Sequence, residues 1–216
     1  MARTLVRSGR RELLGIAAGF LVLALSLVPG PGHGGDRGAE AVVQGLVEDI
    51  WATLRRGDAD PNDRIDELVT VLEARTDVAL ISRLALGRYW NQLPEAERPD
   101  YQELFSQVVI RSMARRLNTY AEDAAAPLEE RFQIASSAPA GTRDVLVRSK
   151  VFPSHRQPID LDWRLRDTAS GPVVIDLIIE GASLLVSQRS EFAAVIERGD
   201  LDGLLTELRA RAKSAS

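Results

Sequence analysis

The chain of 216 residues is long enough for one sizeable hydrophobic core or two small ones, and 45% hydrophobic with 27% charged residues is ordinary for a globular protein. It contains no cysteine and two histidines, which excludes disulfides and thiolate chemistry and leaves few residues for imidazole-based metal sites. The formal net charge of −4 disfavours binding to nucleic acid.

Residues 1–35 have the pattern of a secretory signal peptide followed by a linker. Four arginines precede sixteen uncharged residues, Leu13 to Val28, and a stretch rich in glycine and proline follows. The pair Arg10-Arg11 also fits the twin-arginine export route, so both the Sec and the twin-arginine routes stay open. The sequence therefore predicts an exported protein. Removal of residues 1–35 would take away four arginines and one glutamate and leave a more acidic chain. The acidic charge favours docking on membrane-bound partners over binding to a bare anionic bilayer.

The next part of the chain, residues 38–125, has apolar residues at helical spacing. A first helix presents an apolar stripe from Val42 to Leu54, and a second begins at Asp60-Pro61, where proline suits the first helical position. A third begins near Asp77, and a long fourth helix carries the apolar residues between Tyr101 and Tyr120. The sequence thus predicts a helical N-terminal half.

Residues 131–181 show the alternating pattern of β-strands instead. The pattern predicts a weak strand near Phe132–Ser136 and clearer strands over Asp144–Phe152, Ile159–Arg166 and Val173–Ile179. Short strands linked by hairpins favour an antiparallel sheet with one apolar face and one wetted face. Helical spacing returns in residues 183–213, so we expect a single α+β domain over residues 36–216.

Few residues suggest catalysis. Asp160 and Asp162 share the polar face of one strand, which fits an acid–base pair or a metal site, but a solvated face neutralised by Arg164 and Arg166 is favoured. Asp176 or Glu180 could act as the base of an isomerase-like exported enzyme, although no matching proton donor is evident. No catalytic residue is therefore predicted.

Metal and anion sites have equally weak signals. Asp58, Asp60 and Asn62 mimic the first ligands of a calcium loop, but Asp63 replaces the required glycine and Val69 the bidentate glutamate. We expect no metal site. Arg111 and Arg115 lie one turn apart on the fourth helix, beside Arg116. They form either a solvated helix face or a basic patch that meets an acidic partner or a lipid phosphate.

A dense pattern in the last third of the chain carries a resemblance to a known family. Glycines, charged residues and aromatic residues recur there in a characteristic order, namely Trp163, Glu180, Gly181, Ser183, Leu184, Arg189, Phe192, Gly199, Asp202, Gly203 and Leu204. A second block, Leu86-Gly87-Arg88-Tyr89-Trp90 with Phe105, Leu117 and Tyr120, extends the match. The chain thereby resembles the periplasmic phospholipid-binding proteins of the MlaC (toluene-tolerance) family. The family usually has an aromatic residue near position 188, where this chain has Gln188.

The resemblance implies a fold, a cargo and partners. The expected fold is a cone like that of nuclear-transport-factor domains, with a strongly curved antiparallel sheet of four to five strands, covered by amphipathic helices around an apolar pocket. The implied function is a monomeric periplasmic carrier of glycerophospholipid without cofactor or catalysis. Its implied partners are an outer-membrane lipoprotein–porin complex and an inner-membrane ABC transporter with an MCE-domain subunit. A carrier of hopanoids or sterols in the same family stays an alternative.

The residues alone do not decide between a pocket and a filled core, because alternation shows only which side of a strand is apolar. With the resemblance, the apolar face of the sheet and the start of the following helix become the predicted lipid-binding wall. The predicted lipid-binding residues are Val147, Leu161, Trp163, Leu165, Ile175, Leu177, Ile179 and Leu184.

Overall fold

The computed structural model describes residues 36–56 and 60–215. The predicted signal peptide, residues 1–35, and Asp58 of the failed calcium motif lie outside the described residues. None of the helices in the described part of the chain is long and apolar enough to cross a membrane.

The N-terminal half is helical, as the apolar spacing predicted. The α-helices are α1 (Arg37–Leu54), α2 (Pro61–Arg75), α3 (Val78–Leu86), α4 (Arg98–Phe105), α5 (Arg111–Asn118), α6 (Leu128–Arg131) and α7 (Leu184–Ala215). One π-helical segment, Ser106–Ile110, joins α4 to α5, so that these three pieces form the long fourth helix predicted from the sequence. The short helix α6 was not predicted.

Aspartates begin the first three helices. Asp36 accepts hydrogen bonds from the backbone N–H groups of the first turn of α1, at 3.0 and 3.1 Å. Asp60 and Asp77 do the same for α2 and α3, each at 2.8 Å. Such caps satisfy N–H groups that have no partner within the helix. The predicted helix starts at Asp60 and Asp77 are confirmed.

The end of α3 is fixed by a residue far along the chain. Gly87 has a φ of 59°, a conformation that glycine adopts readily and that terminates the helix. The guanidinium of Arg189 lies beside it and donates two hydrogen bonds to the carbonyl oxygen of Leu84, at 3.0 and 2.8 Å. Gly87 and Arg189, which belong to the two blocks of the family pattern, thus join α7 to the end of α3.

The sheet has five antiparallel strands in chain order. They are β1 (Phe132–Pro139), β2 (Asp144–Val151), β3 (Ile159–Thr168), β4 (Gly171–Ile179) and β5 (Ala182–Ser183). The predicted α+β class with an antiparallel sheet of four to five strands is confirmed. Strand β1 extends three residues beyond its predicted end at Ser136, and the two-residue β5 was not predicted.

The register confirms the predicted faces of β2 and β3 but not the strict alternation of β4. Val147 pairs with Trp163, and Trp163 pairs with Leu177. Between Arg164 and Leu165 the pairing shifts, since Arg164 lies opposite Asp176 while Leu165 lies opposite Val174. Ile175 is the extra residue of a β-bulge, and Val174 takes the place opposite Leu165 that alternation assigned to Ile175.

The core lies between the sheet and the helices. One face of α1 is buried from Ala39 to Leu54 and packs on the sheet and on α2. The rings of Tyr101, Phe105 and Phe192 lie 6.3 Å apart in tilted or edge-to-face contacts and join α4 to α7. Helix α7 is broken at Gly199 and Asp200, so the helical spacing predicted over residues 183–213 is divided between two helical segments.

Candidate functional site

A cavity of about 660 Å³ lies between the apolar face of the sheet and the helices. This volume is typical of sites that bind small organic molecules. Its lining is mostly aliphatic and aromatic, and β3 and β4 form one wall. The opposite wall consists of side chains from α1, the α4–α5 helix and the start of α7, among them Leu46, Ile50, Trp51, Phe105, Val109, Met113, Leu117, Tyr120 and Leu185.

The apolar face of the sheet changes from buried to exposed along β3 and β4. Leu165 is fully buried, Trp163 is 4% exposed, and Ile179, on the rung beyond Trp163, is 37% exposed. The cavity therefore opens at the end of the sheet where β3 begins and β4 ends. Among the described residues, the exposed large apolar side chains are Ile179 and Val186, and Ile179 lies on the cavity lining itself.

Six of the eight side chains predicted to bind lipid line this cavity. They are Leu161, Trp163, Ile175, Leu177, Ile179 and Leu184. Val147 and Leu165 are fully buried in the hydrophobic core and do not line the cavity. Both lie on the predicted apolar face, but Leu165 is one rung beyond Trp163, on the side away from the open end of the sheet.

The helical wall of the cavity, apart from Leu184, lies outside the set of residues predicted to bind lipid. Val109, Leu117 and Tyr120 belong to the apolar residues of the predicted fourth helix, but their spacing fits a filled core equally well. The π-helical segment adds one residue to a turn of this helix, and three of its five residues, Val108, Val109 and Ile110, line the cavity. Helical periodicity cannot reveal such an insertion, so the signal available for this wall was the place of Phe105, Leu117 and Tyr120 in the family pattern.

Trp163 is held firmly at the inner end of the cavity. Its indole N–H donates to the hydroxyl of Ser149 at 3.0 Å, and that hydroxyl donates to the carbonyl oxygen of Leu161 at 2.6 Å. The ring meets Phe132 edge to face, with centroids 6.3 Å apart. The polar edge of the indole is thereby satisfied within the sheet, which leaves an apolar ring surface for the cavity.

The carboxylates proposed for an enzyme have structural partners. Asp176 accepts hydrogen bonds from the hydroxyl of Ser183 at 2.5 Å and from the backbone N–H of Leu185 at 2.9 Å, and so caps α7. Glu180 has a φ of 49° in the two-residue turn between β4 and β5, and its carboxylate accepts from the backbone N–H of Asp160 at 2.6 Å. Both groups are therefore engaged in holding the end of β4 and the start of α7.

The outer face of the sheet is charged, as predicted, but its ion pairs differ from the predicted ones. Arg164 and Arg166 do not neutralise Asp160 and Asp162. Instead, both donate to the buried carboxylate of Asp144, at 2.7 and 2.8 Å.

Asp160 and Asp162, which were weighed as an acid–base pair, each lie beside a different cation on β2. Asp160 forms an ion pair with Lys150 on the neighbouring strand. Burial raises the pKa of Asp162 against the opposing charge of Arg148, which lies directly across from it on β2, and the negative charge of Asp160 raises it further. The two acids thus interact with different cations on β2, and neither lines the cavity.

The arginines of α5 have different surroundings. Arg111, of the predicted basic patch, forms an ion pair of 2.6 Å with Asp66 on α2, and its side chain is half-buried. Arg115 is exposed on the same helix. Arg116, next in the chain, lines the cavity. Part of the predicted patch therefore ties α5 to α2, and one neighbouring arginine faces the cavity.

Among residues 36–56 and 60–215, no three or more histidine or acidic side chains are grouped so as to hold a metal ion. Asp60, from the failed calcium motif, instead caps α2.

Comparison with known proteins adds to this geometry. The family model described as MlaC protein matches residues 40–210 of the chain. Among solved structures, the chain is similar to a phospholipid-binding protein from Ralstonia solanacearum that was determined in complex with a phospholipid. The TM-score is 0.65 and the sequence identity 27%, and the match covers 82% of this chain and 98% of the other.

Proposed function

Because the chain belongs to the MlaC family, we propose that it is a periplasmic carrier that holds a glycerophospholipid by its acyl chains in the cavity. The observation that carries the proposal is the cavity itself, about 660 Å³ in volume, apolar, and open at one end of the sheet. The similar Ralstonia protein binds a phospholipid, which supports the same class of ligand here.

Hydrophobic transfer explains how such a protein works without catalytic groups. Burying each methylene in an apolar environment is favourable by about 0.8 kcal/mol, so ten methylenes exposed to water would cost about 8 kcal/mol. If the cavity is as apolar as a bilayer, the free energy of moving acyl chains from one to the other is close to zero. The direction of transport then has to come from the partners of the carrier.

The proposed partners lie at the two membranes. We expect the chain to act as a monomer that moves lipid between an outer-membrane lipoprotein–porin complex and an inner-membrane ABC transporter with an MCE-domain subunit, and thereby to serve outer-membrane lipid asymmetry. Family membership and the form of the cavity support this role. Export through the predicted signal peptide, residues 1–35, would place the protein between the two membranes.

A substitution that fills the cavity tests the proposal. Leu161 lies on the sheet wall beside buried Trp163 and opposite exposed Ile179. If the indole of Leu161→Trp displaces two methylenes of the ligand, the affinity falls by about 1.6 kcal/mol, or roughly 15-fold. The matched control is Ala52→Trp on the exposed side of α1, which adds the same side chain away from the cavity.

The measurement is the binding of a phospholipid with a fluorescent acyl chain to lipid-free protein. We expect weaker binding for Leu161→Trp and unchanged binding for Ala52→Trp, with both variants folded by circular dichroism. Equal affinities of the wild type and folded Leu161→Trp would contradict binding in this cavity. Movement of the labelled lipid between vesicles carrying the two membrane complexes tests the carrier role separately.

A further inference from the structure

Some of the charged side chains that line the cavity have an ion pair or a capping hydrogen bond, and others have no ion pair. Asp176 is occupied by the cap of α7. Glu191 and Arg211 form an ion pair of 2.7 Å, and Arg211 also binds Glu207 at 2.5 Å. The remaining charged side chains of the lining are two arginines, Arg116 and Arg131.

Arg131 has hydrogen-bonding capacity left over. One terminal nitrogen donates to the carbonyl oxygen of Phe152 at 3.1 Å, and within the described part of the chain the other terminal nitrogen has no hydrogen-bond partner. Asp123 lies within electrostatic range, but its carboxylate accepts the backbone N–H of Ser154 at 2.6 Å. An oxygen-bearing ligand in the cavity could therefore accept hydrogen bonds from this second terminal nitrogen.

Arg116 supplies a second cation on the same lining. It is exposed on the last turns of α5, one turn before Tyr120, which also lines the cavity. Within residues 36–56 and 60–215, its side chain forms no ion pair, in contrast to Arg111 five positions earlier. The cavity lining thus carries two guanidinium groups that no carboxylate of the described chain neutralises by a direct ion pair.

We propose that Arg116 and Arg131 form a phosphate subsite of the cavity, so that the protein selects lipids with a phosphodiester over neutral lipids with the same acyl chains. This inference rests on the proposed function, because the acyl chains bring the phosphate to the subsite. A guanidinium presents paired N–H donors that match the oxygens of a phosphate. The two arginines recognise the phosphate, which is common to all glycerophospholipids. They do not distinguish between the headgroup alcohols esterified to it.

The test compares two ligands with identical labelled acyl chains, phosphatidylglycerol and diacylglycerol, on lipid-free protein. We expect the wild type to bind phosphatidylglycerol roughly tenfold tighter for each arginine engaged. Arg116→Gln and Arg131→Gln each reduce this preference about tenfold, while the affinity for diacylglycerol stays the same. The matched control is Arg111→Gln, on the same helix but paired with Asp66, which keeps the full preference.

Several outcomes would overturn the subsite. One is equal binding of both lipids by the wild type. Another is an unchanged preference in Arg116→Gln, whose exposed side chain can be replaced without risk to folding. Inorganic phosphate alone, titrated calorimetrically to about 10 mM, should show no saturable binding, since it lacks the acyl chains. Saturable binding that is lost in Arg116→Gln would assign the site to free phosphate instead.

Failure of the subsite and failure of the proposed function can be told apart. Tight binding of both labelled lipids without preference contradicts the subsite and leaves the carrier intact. Absence of binding of either lipid contradicts the carrier itself.

Discussion

The buried carboxylate of Asp144 should be a main electrostatic support of the sheet that forms the cavity wall. Its side chain is 5% exposed and accepts hydrogen bonds from Arg164 and Arg166, whose side chains are 43% and 21% exposed. Asp144→Asn removes the charge and leaves both guanidinium groups without their counter-ion. Breaking a fully buried pair costs 3–5 kcal/mol, and since both arginines can be partly solvated, we expect a loss of about 3 kcal/mol in the free energy of unfolding.

The chain offers a matched control on the same face of the same sheet. Asp160 pairs with Lys150 across β2 and β3, and both side chains are at least half exposed. Asp160→Asn should therefore cost at most about 1 kcal/mol. Urea denaturation measures both variants, and for a chain of this size a loss of 3 kcal/mol corresponds to a melting temperature lower by about 6–12 °C. Equal losses for the two variants would refute the reasoning.

The pH dependence gives an independent check on Asp144. The hydrogen bond from Arg166 lowers the pKa of this carboxyl, burial raises it, and the hydrogen bond from Arg164 lowers it further, so that the pKa lies below its ordinary value. Because the pKa is lowered on folding, the stabilisation is complete above the unfolded value of about 4 and is lost as the pH falls through the folded pKa. Between neutral pH and pH values below 4, the wild type should therefore lose more stability than Asp144→Asn. Parallel losses in both proteins would contradict this assignment.

Two further predictions concern the frame around the cavity. Gly87→Ala should lower the free energy of unfolding, measured in urea, by about 1 kcal/mol more than Gly141→Ala does. Both glycines have positive φ, but only a Cβ at Gly87 would meet Arg189, at 3.1 Å. Equal losses would show that the contact with Arg189 has no cost. Asp176→Ala should lower the free energy of unfolding by about 1–2 kcal/mol through loss of the cap of α7 while the protein keeps its bound lipid, whereas a stable variant without lipid would contradict the capping role.

The sequence predicted which face of a strand each side chain lies on better than whether that side chain meets the cavity or solid core. The alternation of β3 correctly placed Leu161, Trp163 and Leu165 on one face, since a strand has a strict period of two. Whether such a side chain meets a cavity or solid core depends on how far the helices close over each rung. That is a property of tertiary packing, and it separates Leu161 from Leu165 although both obey the same pattern.

Two other features had no local signal. The bulge at Ile175 inserts one residue into β4, and nothing in the surrounding apolar run marks where the extra residue falls. Asp144 is brought to Arg166 by the register of β2 and β3, so its role as their counter-ion becomes visible only once the strands are paired. The caps at Asp60 and Asp77, by contrast, depend on neighbouring residues and were predictable.

Analysis of the lipid that the protein carries tests the central claim most directly. The chain would be purified from the cell envelope without detergent, and its bound molecules extracted and identified by mass spectrometry. We expect glycerophospholipid in amounts close to one molecule per protein, reduced in Leu161→Trp and unchanged in Ala52→Trp. An empty protein, or one carrying only hopanoid or sterol, would contradict it.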